Sequence, residues 1–198
     1  MSTRPVLVCC LTITAFLVTN AHAWPGKSSA FQPSAQEARL VQLMGDRLEV
    51  SRKVAWAKYL DTLPIYDPKR EKESLASITQ SAAHYGLPAS TVTSFFKAQM
   101  NASKQYQTHL LRKWKRGAQP FPALPFLNLK SQLRPEIDRI NQEMLKTLTE
   151  LKNTPATSQH QAAFAAYARS VLRTQRYSWR IADTSIAPLR YLSPTHSY

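Results

Sequence analysis

Apolar residues recur at three-and-four spacing from about residue 35 to 62, the pattern of a helix with one buried face. Later segments repeat that period, and each is cut off by a breaker. LPIYDP ends the first, and Asp67-Pro68 is a start signal for a second, with Asp as N-cap and Pro as first helical residue. The second runs to about Tyr85 and stops at Gly86-Leu87-Pro88. A third, long helix is expected from about Ala89 to Arg116. GAQPFPALPF then opens a Pro-rich connection over 117–128. A fourth is expected from about Arg134, with Pro135 near its first turn, to Lys152, where NTP breaks it. A fifth is expected over about 157–182, before an irregular tail, 183–198. No stretch reads convincingly as a strand, no repeat is visible, and no heptad run is long enough for a coiled coil. The expected fold is all-α, a single domain of about five to six helices.

The first 23 residues read as a segment outside that fold. Arg4 is followed by VLVCCLTITAFLV and then by Ala21-His22-Ala23, a small-x-small cleavage pattern before Trp24. This is the pattern of a secretory signal peptide. The apolar run falls short of the ~20 residues that a membrane span needs. Cleavage there leaves 24–198 as the folded domain and implies export, to a periplasm or beyond. Cys9 and Cys10 leave with the signal, so the mature chain has neither disulfide nor thiol chemistry.

The chain carries a net charge of +14, and loss of Arg4 leaves +13. That balance suggests anionic partners without saying which. The five histidines show no paired spacing and no cysteine accompanies them, so no metal site is expected. No Gly-rich phosphate loop and no G-x-S-x-G occurs, and covalent catalysis has no evident carrier.

The informative oddity lies in RLEVSRKVAWAKYL, 47–60. Arg47 and Lys58 fall on the same helical face as Leu40, Met44 and Val54. Eleven residues apart, they point the same way, ~16 Å apart along the axis. Long cations on such a face commonly reach out to solvent or pair with acids. The third helix carries a milder version. Ser103 and Gln107 interrupt the stripe Phe96, Met100, Leu110, Trp114 at i, i+4 spacing. The second helix opens with Asp67, Arg70 and Glu71, although Arg is the wrong sign for a helix N-terminus. Arg134 opens the fourth. Together these residues describe a pocket between helices that holds a small polyanion.

The ordered set RLEV…K…LPI.D..RE, GL…FF.AQ..ASK..Q and LRPEIDRIN resembles the all-helical chorismate mutases, specifically their secreted gamma subclass, over about residues 38–145. The resemblance implies rearrangement of chorismate to prephenate, without cofactor or covalent intermediate, and usually a homodimer in which each chain holds its own complete site. Residue by residue, Arg47 and Arg134 resemble the arginines that hold substrate carboxylates. Lys58 resembles the lysine that reaches a carboxylate and the ether oxygen, with Gln107 on the other side of that oxygen. Arg70 resembles the family's second-helix arginine. Asp67 and Glu71 stand where the family handles the ring hydroxyl, and Ser103 matches a small hydroxyl residue near the ring carboxylate. Ser74 stands where some secreted relatives carry a glutamine. Some members also have a disulfide near the C-terminal end, which this chain cannot form. The expected partners are therefore the substrate and a second copy, with no nucleic acid and, after cleavage, no membrane. Two rivals remain: a non-catalytic exported protein that binds a small anion, and one that binds an anionic surface. The second draws on Arg169, Arg173, Arg176 and Arg180, a basic stripe at spacings of 4, 3 and 4 on the fifth helix.

Overall fold

The computed structural model describes residues 31–120, 122–152 and 157–192. Six α-helices carry these residues, and no strand occurs among them: α1 Ala35–Leu60, α2 Pro68–His84, α3 Ala89–Lys115, α4 Arg134–Leu151, α5 Ser158–Thr174 and α6 Trp179–Ile186. A wide π-type turn, Leu129–Leu133, leads into α4, and a 3₁₀ turn, Ala187–Tyr191, follows α6. The candidate signal, 1–23, lies outside the described residues. None of the described helices is long and apolar enough to cross a membrane.

Local chemistry fixes the helix ends. Ser34 caps α1 through a reciprocal box: its Oγ accepts from the Glu37 amide at 3.2 Å, and its own amide donates to Glu37 Oε2 at 2.8 Å. Asp67 caps α2 by accepting from the Arg70 amide at 3.1 Å, with Pro68 in the first turn. Gly86 and Gly117, at φ +59° and +91°, supply the left-handed residue just past α2 and α3, a conformation that glycine adopts without a Cβ clash.

Helix α1 is the axis of the packing. It meets α3 along one side, α4 along another and α5 at its N-terminal half. With neighbours on several sides it buries much more than one stripe, including Leu40, Val41, Leu43, Met44, Leu48 and Val50. Phe95 and Phe96 of α3, packed edge to face at 5.3 Å, and Met144 and Leu145 of α4 fill the space around it.

Two expectations for the C-terminal part are corrected. The single helix over 157–182 is two helices. The chain reverses at Gln175–Ser178, with Arg176 in the left-handed region at φ +70°. Tyr177 turns inward at the break and donates its hydroxyl to Gly45 O at 3.3 Å. The Gln175 side chain lies against Gly45 at the same turn, where a Cβ would meet its Oε1. The residues from 183 are not irregular either. Helix α6 continues to Ile186, and the 3₁₀ turn buries Leu189 completely. Residues 193–198 of that expected tail lie outside the described ones. The basic stripe dissolves with the helix break: Arg169 pairs with Asp183 at 2.6 Å, and Arg180 sits on α6 over the Trp179 ring.

Candidate active site

Between α1, α2, α3 and the start of α4 lies a cavity of about 310 Å³. All nine of the residues singled out from the sequence line it: Arg47 and Lys58 from α1, Asp67, Arg70, Glu71 and Ser74 from the start of α2, Ser103 and Gln107 from α3, and Arg134 from α4. Val54, Met100, Leu129 and Ile137 give it apolar walls, and Leu63-Pro64-Ile65 of the α1–α2 loop cover one edge.

Arg47 is the most constrained of the nine. It is 6 % exposed, and burial brings its guanidinium down to about 10, with Asp138 opposing the shift. Its Nε donates to Asn141 Oδ1 at 3.2 Å. Its Nη1 donates to Gln99 O at 3.0 Å and to Ser103 Oγ at 2.6 Å. No described residue accepts from its Nη2. A planar fork with two of its three nitrogens fixed in this way aims the third. Ser103 therefore has a structural duty as well as a place on the cavity wall, since its hydroxyl also donates to Gln99 O at 2.8 Å.

Lys58 is half-buried. Its ammonium donates to Ile65 O at 2.8 Å, which ties it to the covering loop. Burial lowers its pKa most; Asp67 opposes the shift, Arg134 adds to it, and Glu71 opposes it. Two cations, Lys58 and Arg134, thus bear on one another, with Asp67 and Glu71 partly offsetting them. Gln107 is buried, its Oε1 has no hydrogen-bond partner, and no described residue accepts from its Nε2. The unpaired Oε1 is an acceptor, and the amide keeps Nε2 as a donor beside the cavity.

The second helix behaves differently from its first reading. Arg70 turns to Glu73 at 2.5 Å, an exposed pairing that explains how a cation is tolerated near a helix N-terminus. Asp67 lines the cavity while its carboxylate caps α2. Glu71 is held at 2.8 Å by Lys104, whose ammonium also lies 5.1 Å from the centre of the Tyr66 ring. Lys104, Gln99 and Asn141 were not singled out from the sequence. Gln99 precedes Ser103 and Gln107 by one and two turns, so the polar row on α3 has three members. Asn141 lies two turns beyond Arg134 on α4, and these spacings were the available signal.

Fold and cavity together define a class: an all-helical protein that gathers cations and neutral donors, some already fixed by the protein, around one cavity. A family model, chorismate mutase type II, matches residues 35–108. The chain is 31% identical over 140 residues to a monofunctional chorismate mutase of Enterobacter agglomerans, covering 69% of this chain and 76% of that one. It is also 31% identical over 115 residues to a secreted chorismate mutase of Mycobacterium tuberculosis, covering 58% of this chain and 57% of that one. The crystal structure of chorismate mutase from Burkholderia phymatum superposes with a TM-score of 0.67 at 28% identity, covering 79% of this chain and 98% of that one. The chain belongs to the chorismate mutase family and is an enzyme of the isomerase type.

Proposed function

We propose that the α1–α4 cavity converts chorismate to prephenate by holding the substrate dianion in a compact pose. The observation that carries this reading is Arg47: a buried arginine, fixed by three hydrogen bonds, that keeps one nitrogen free beside a cavity. In the proposed site Arg47 and Arg134 take the two carboxylates, and Glu71 takes the ring hydroxyl with Asp67 beside it. Arg70, Ser74 and Ser103 complete the binding wall. Lys58 and Gln107 Nε2 donate to the ether oxygen from opposite sides.

The reaction is a pericyclic Claisen rearrangement. One C–O bond breaks as one C–C bond forms, and no proton, nucleophile or electron is exchanged with the protein. Two things limit its rate. The enolpyruvyl arm must lie over the ring, and fixed cations on both carboxylates supply that orientation. Negative charge also builds on the ether oxygen, and a preorganised ammonium and amide stabilise it without reorganising. The cost of collecting cations in an empty cavity is offset when the dianion arrives.

The same reading includes export, cleavage after Ala23 and a homodimer. The Ala21-His22-Ala23 pattern and the secreted name of the Mycobacterium tuberculosis relative support export. N-terminal sequencing of the exported form is expected to begin at Trp24; a membrane-bound product that keeps Met1 would overturn this. The activity is tested by loss of chorismate absorbance with purified protein spanning 24–198. Saturable turnover to prephenate is expected. Binding of chorismate without turnover would instead make the protein a non-catalytic anion binder.

A further inference from the structure

We infer that a second cavity, at the C-terminal end of α3, is a binding site for a small organic phosphate, separate from the chorismate site. This cavity holds about 260 Å³. It shares no lining residue with the α1–α4 cavity. Arg52 reaches it from α1, His109 and Lys113 from α3, and Arg176 from the turn between α5 and α6, while Tyr106 and Trp114 form ring walls.

No Asp or Glu lines this cavity. Arg52 is already served: Glu49 takes its Nε and Nη2 at 2.7–3.1 Å, and Pro122 O accepts from its Nη1 at 3.1 Å. Lys113 and Arg176 are not. Neither has a carboxylate within 4.0 Å among the described residues, and neither donates a side-chain hydrogen bond to one of them. The helix dipole accounts for Lys113, since the last turn of a helix favours cations. It does not account for Arg176, which comes from another element.

Arg176 also occupies an unusual backbone position. It lies just past the end of α5, at the position where α2 and α3 place Gly86 and Gly117. An L-residue in the left-handed region carries a cost that glycine does not. The other described exception, Thr62 at φ +55° past α1, adjoins Leu63 on the rim of the chorismate cavity. Arg176 is exposed, stands where glycine fits better, and has no carboxylate partner among the described residues, so its guanidinium is available to a ligand in a cavity whose lining holds no acid. Two unneutralised cations match a dianion, which favours phosphate over a single carboxylate. The space exceeds a bare phosphate, and the Tyr106 and Trp114 walls fit a ring attached to it.

The test uses phenyl phosphate as probe, with the Trp114 indole and Lys113 amide signals of the purified protein as reporters in NMR titrations. Saturable shifts are expected in the wild type and at least tenfold weaker binding in Arg176→Gly and in Lys113→Ala. Arg176→Gly should unfold no earlier than wild type, because glycine relieves the left-handed strain, and should turn over chorismate at the wild-type rate. Equal phenyl phosphate binding in wild type and Arg176→Gly overturns the inference. So does saturation seen only at Ser103 and its neighbours, which would mean that the probe enters the chorismate cavity. Vesicles of phosphatidylglycerol and of phosphatidylcholine separate the sources of the group. Binding to the former that Arg176→Gly abolishes assigns a lipid headgroup, and phenyl phosphate binding without vesicle binding assigns a free organic phosphate.

Discussion

At the scale of single residues, the site combines groups held by the protein with groups left waiting. Arg47→Ala, Lys58→Ala and Arg134→Ala are each expected to lower kcat/KM by a factor of about 10²–10³, the usual loss for one preorganised electrostatic contact. Circular dichroism should stay helical in all three, with a lower Tm for Arg47→Ala, which leaves Asn141 Oδ1 and Ser103 Oγ without their donor. Wild-type kcat/KM in any of the three removes that residue from the site. The pH dependence separates Lys58 from Gln107. Burial, the largest cause, depresses the Lys58 pKa, so its charge is lost as pH rises earlier than for an ordinary lysine, and Arg47, brought down to about 10, also loses charge on the alkaline side. A cation with a depressed folded pKa binds fewer protons folded than unfolded, so this group makes folding more favourable as pH rises through that window. Lys58 itself therefore does not drive alkaline unfolding, whereas burial raises the Tyr106 and Tyr177 pKa values and acts the other way, so Tm measured across the same range separates loss of the Lys58 charge from unfolding. Gln107 donates at any pH, whereas Gln107→Glu donates only when protonated. The wild type is expected to hold its activity from about pH 6 to 8, where carboxylates and arginines keep their charge. The variant should fall as pH rises, and superimposable kcat/KM profiles would take Gln107 away from the breaking bond. Arg47, Lys58, Ser103 and Gln107 were legible because a 3.6-residue period converts position into direction, so a polar residue on an apolar row stands out. Asp67, Arg70, Glu71 and Arg134 were legible from their places at helix starts, and Ser74 only through the family resemblance. Lys104 was not legible: its use depends on Glu71 of α2 and Tyr66 of the α1–α2 loop, which tertiary packing brings to it.

At the scale of elements, the ends of helices decide more than their middles. The Ser34 box fixes the start of α1, and Glu37 Oε1 lies 2.6 Å from His160 Nε2, so the same glutamate joins α1 to α5. Ser34→Ala is expected to cost ~1 kcal/mol, typical for an N-cap. In a chain of this length that lowers Tm by about 2–4 °C. Chorismate turnover at 25 °C should be unchanged, since Arg47 lies more than three turns further on; a loss of kcat with no loss of Tm would show that the cap positions the site. Helices α1 to α4 were legible to within a residue or two because Pro, Gly and Asp mark their ends. The break between α5 and α6 carries no such marker. It shows only as a slip in the apolar period, five residues from Leu172 to Tyr177, which no uniform helix accommodates on one face. Its causes are long-range: the docking of Tyr177 on Gly45 and the left-handed Arg176.

At the scale of the whole molecule, the excess of cations acts on a substrate before it arrives. The net charge of +14 includes a stretch, 74–135, with no Asp or Glu at all, and that stretch contributes α3, the π-type turn and Arg134 to the cavity. A dianion approaching such a surface is drawn in, and the effect weakens as salt screens exposed charges over about 8 Å at physiological ionic strength. Buried contacts such as Arg47 are screened much less. The two contributions therefore separate by salt. We expect kcat/KM for chorismate to fall several-fold between about 20 and 500 mM sodium chloride, with kcat nearly constant, because salt weakens capture and leaves the fixed donors intact. Arg112 and Arg173 are both exposed and line neither cavity. The double variant Arg112→Ala, Arg173→Ala should flatten the salt dependence and converge with wild type at the high-salt end. Arg47→Ala should lose its factor at every salt concentration, with the slope of wild type. A flat wild-type profile would leave the positive surface without a part in catalysis, and a double variant still impaired at 500 mM would mean that one of these arginines shapes the site itself.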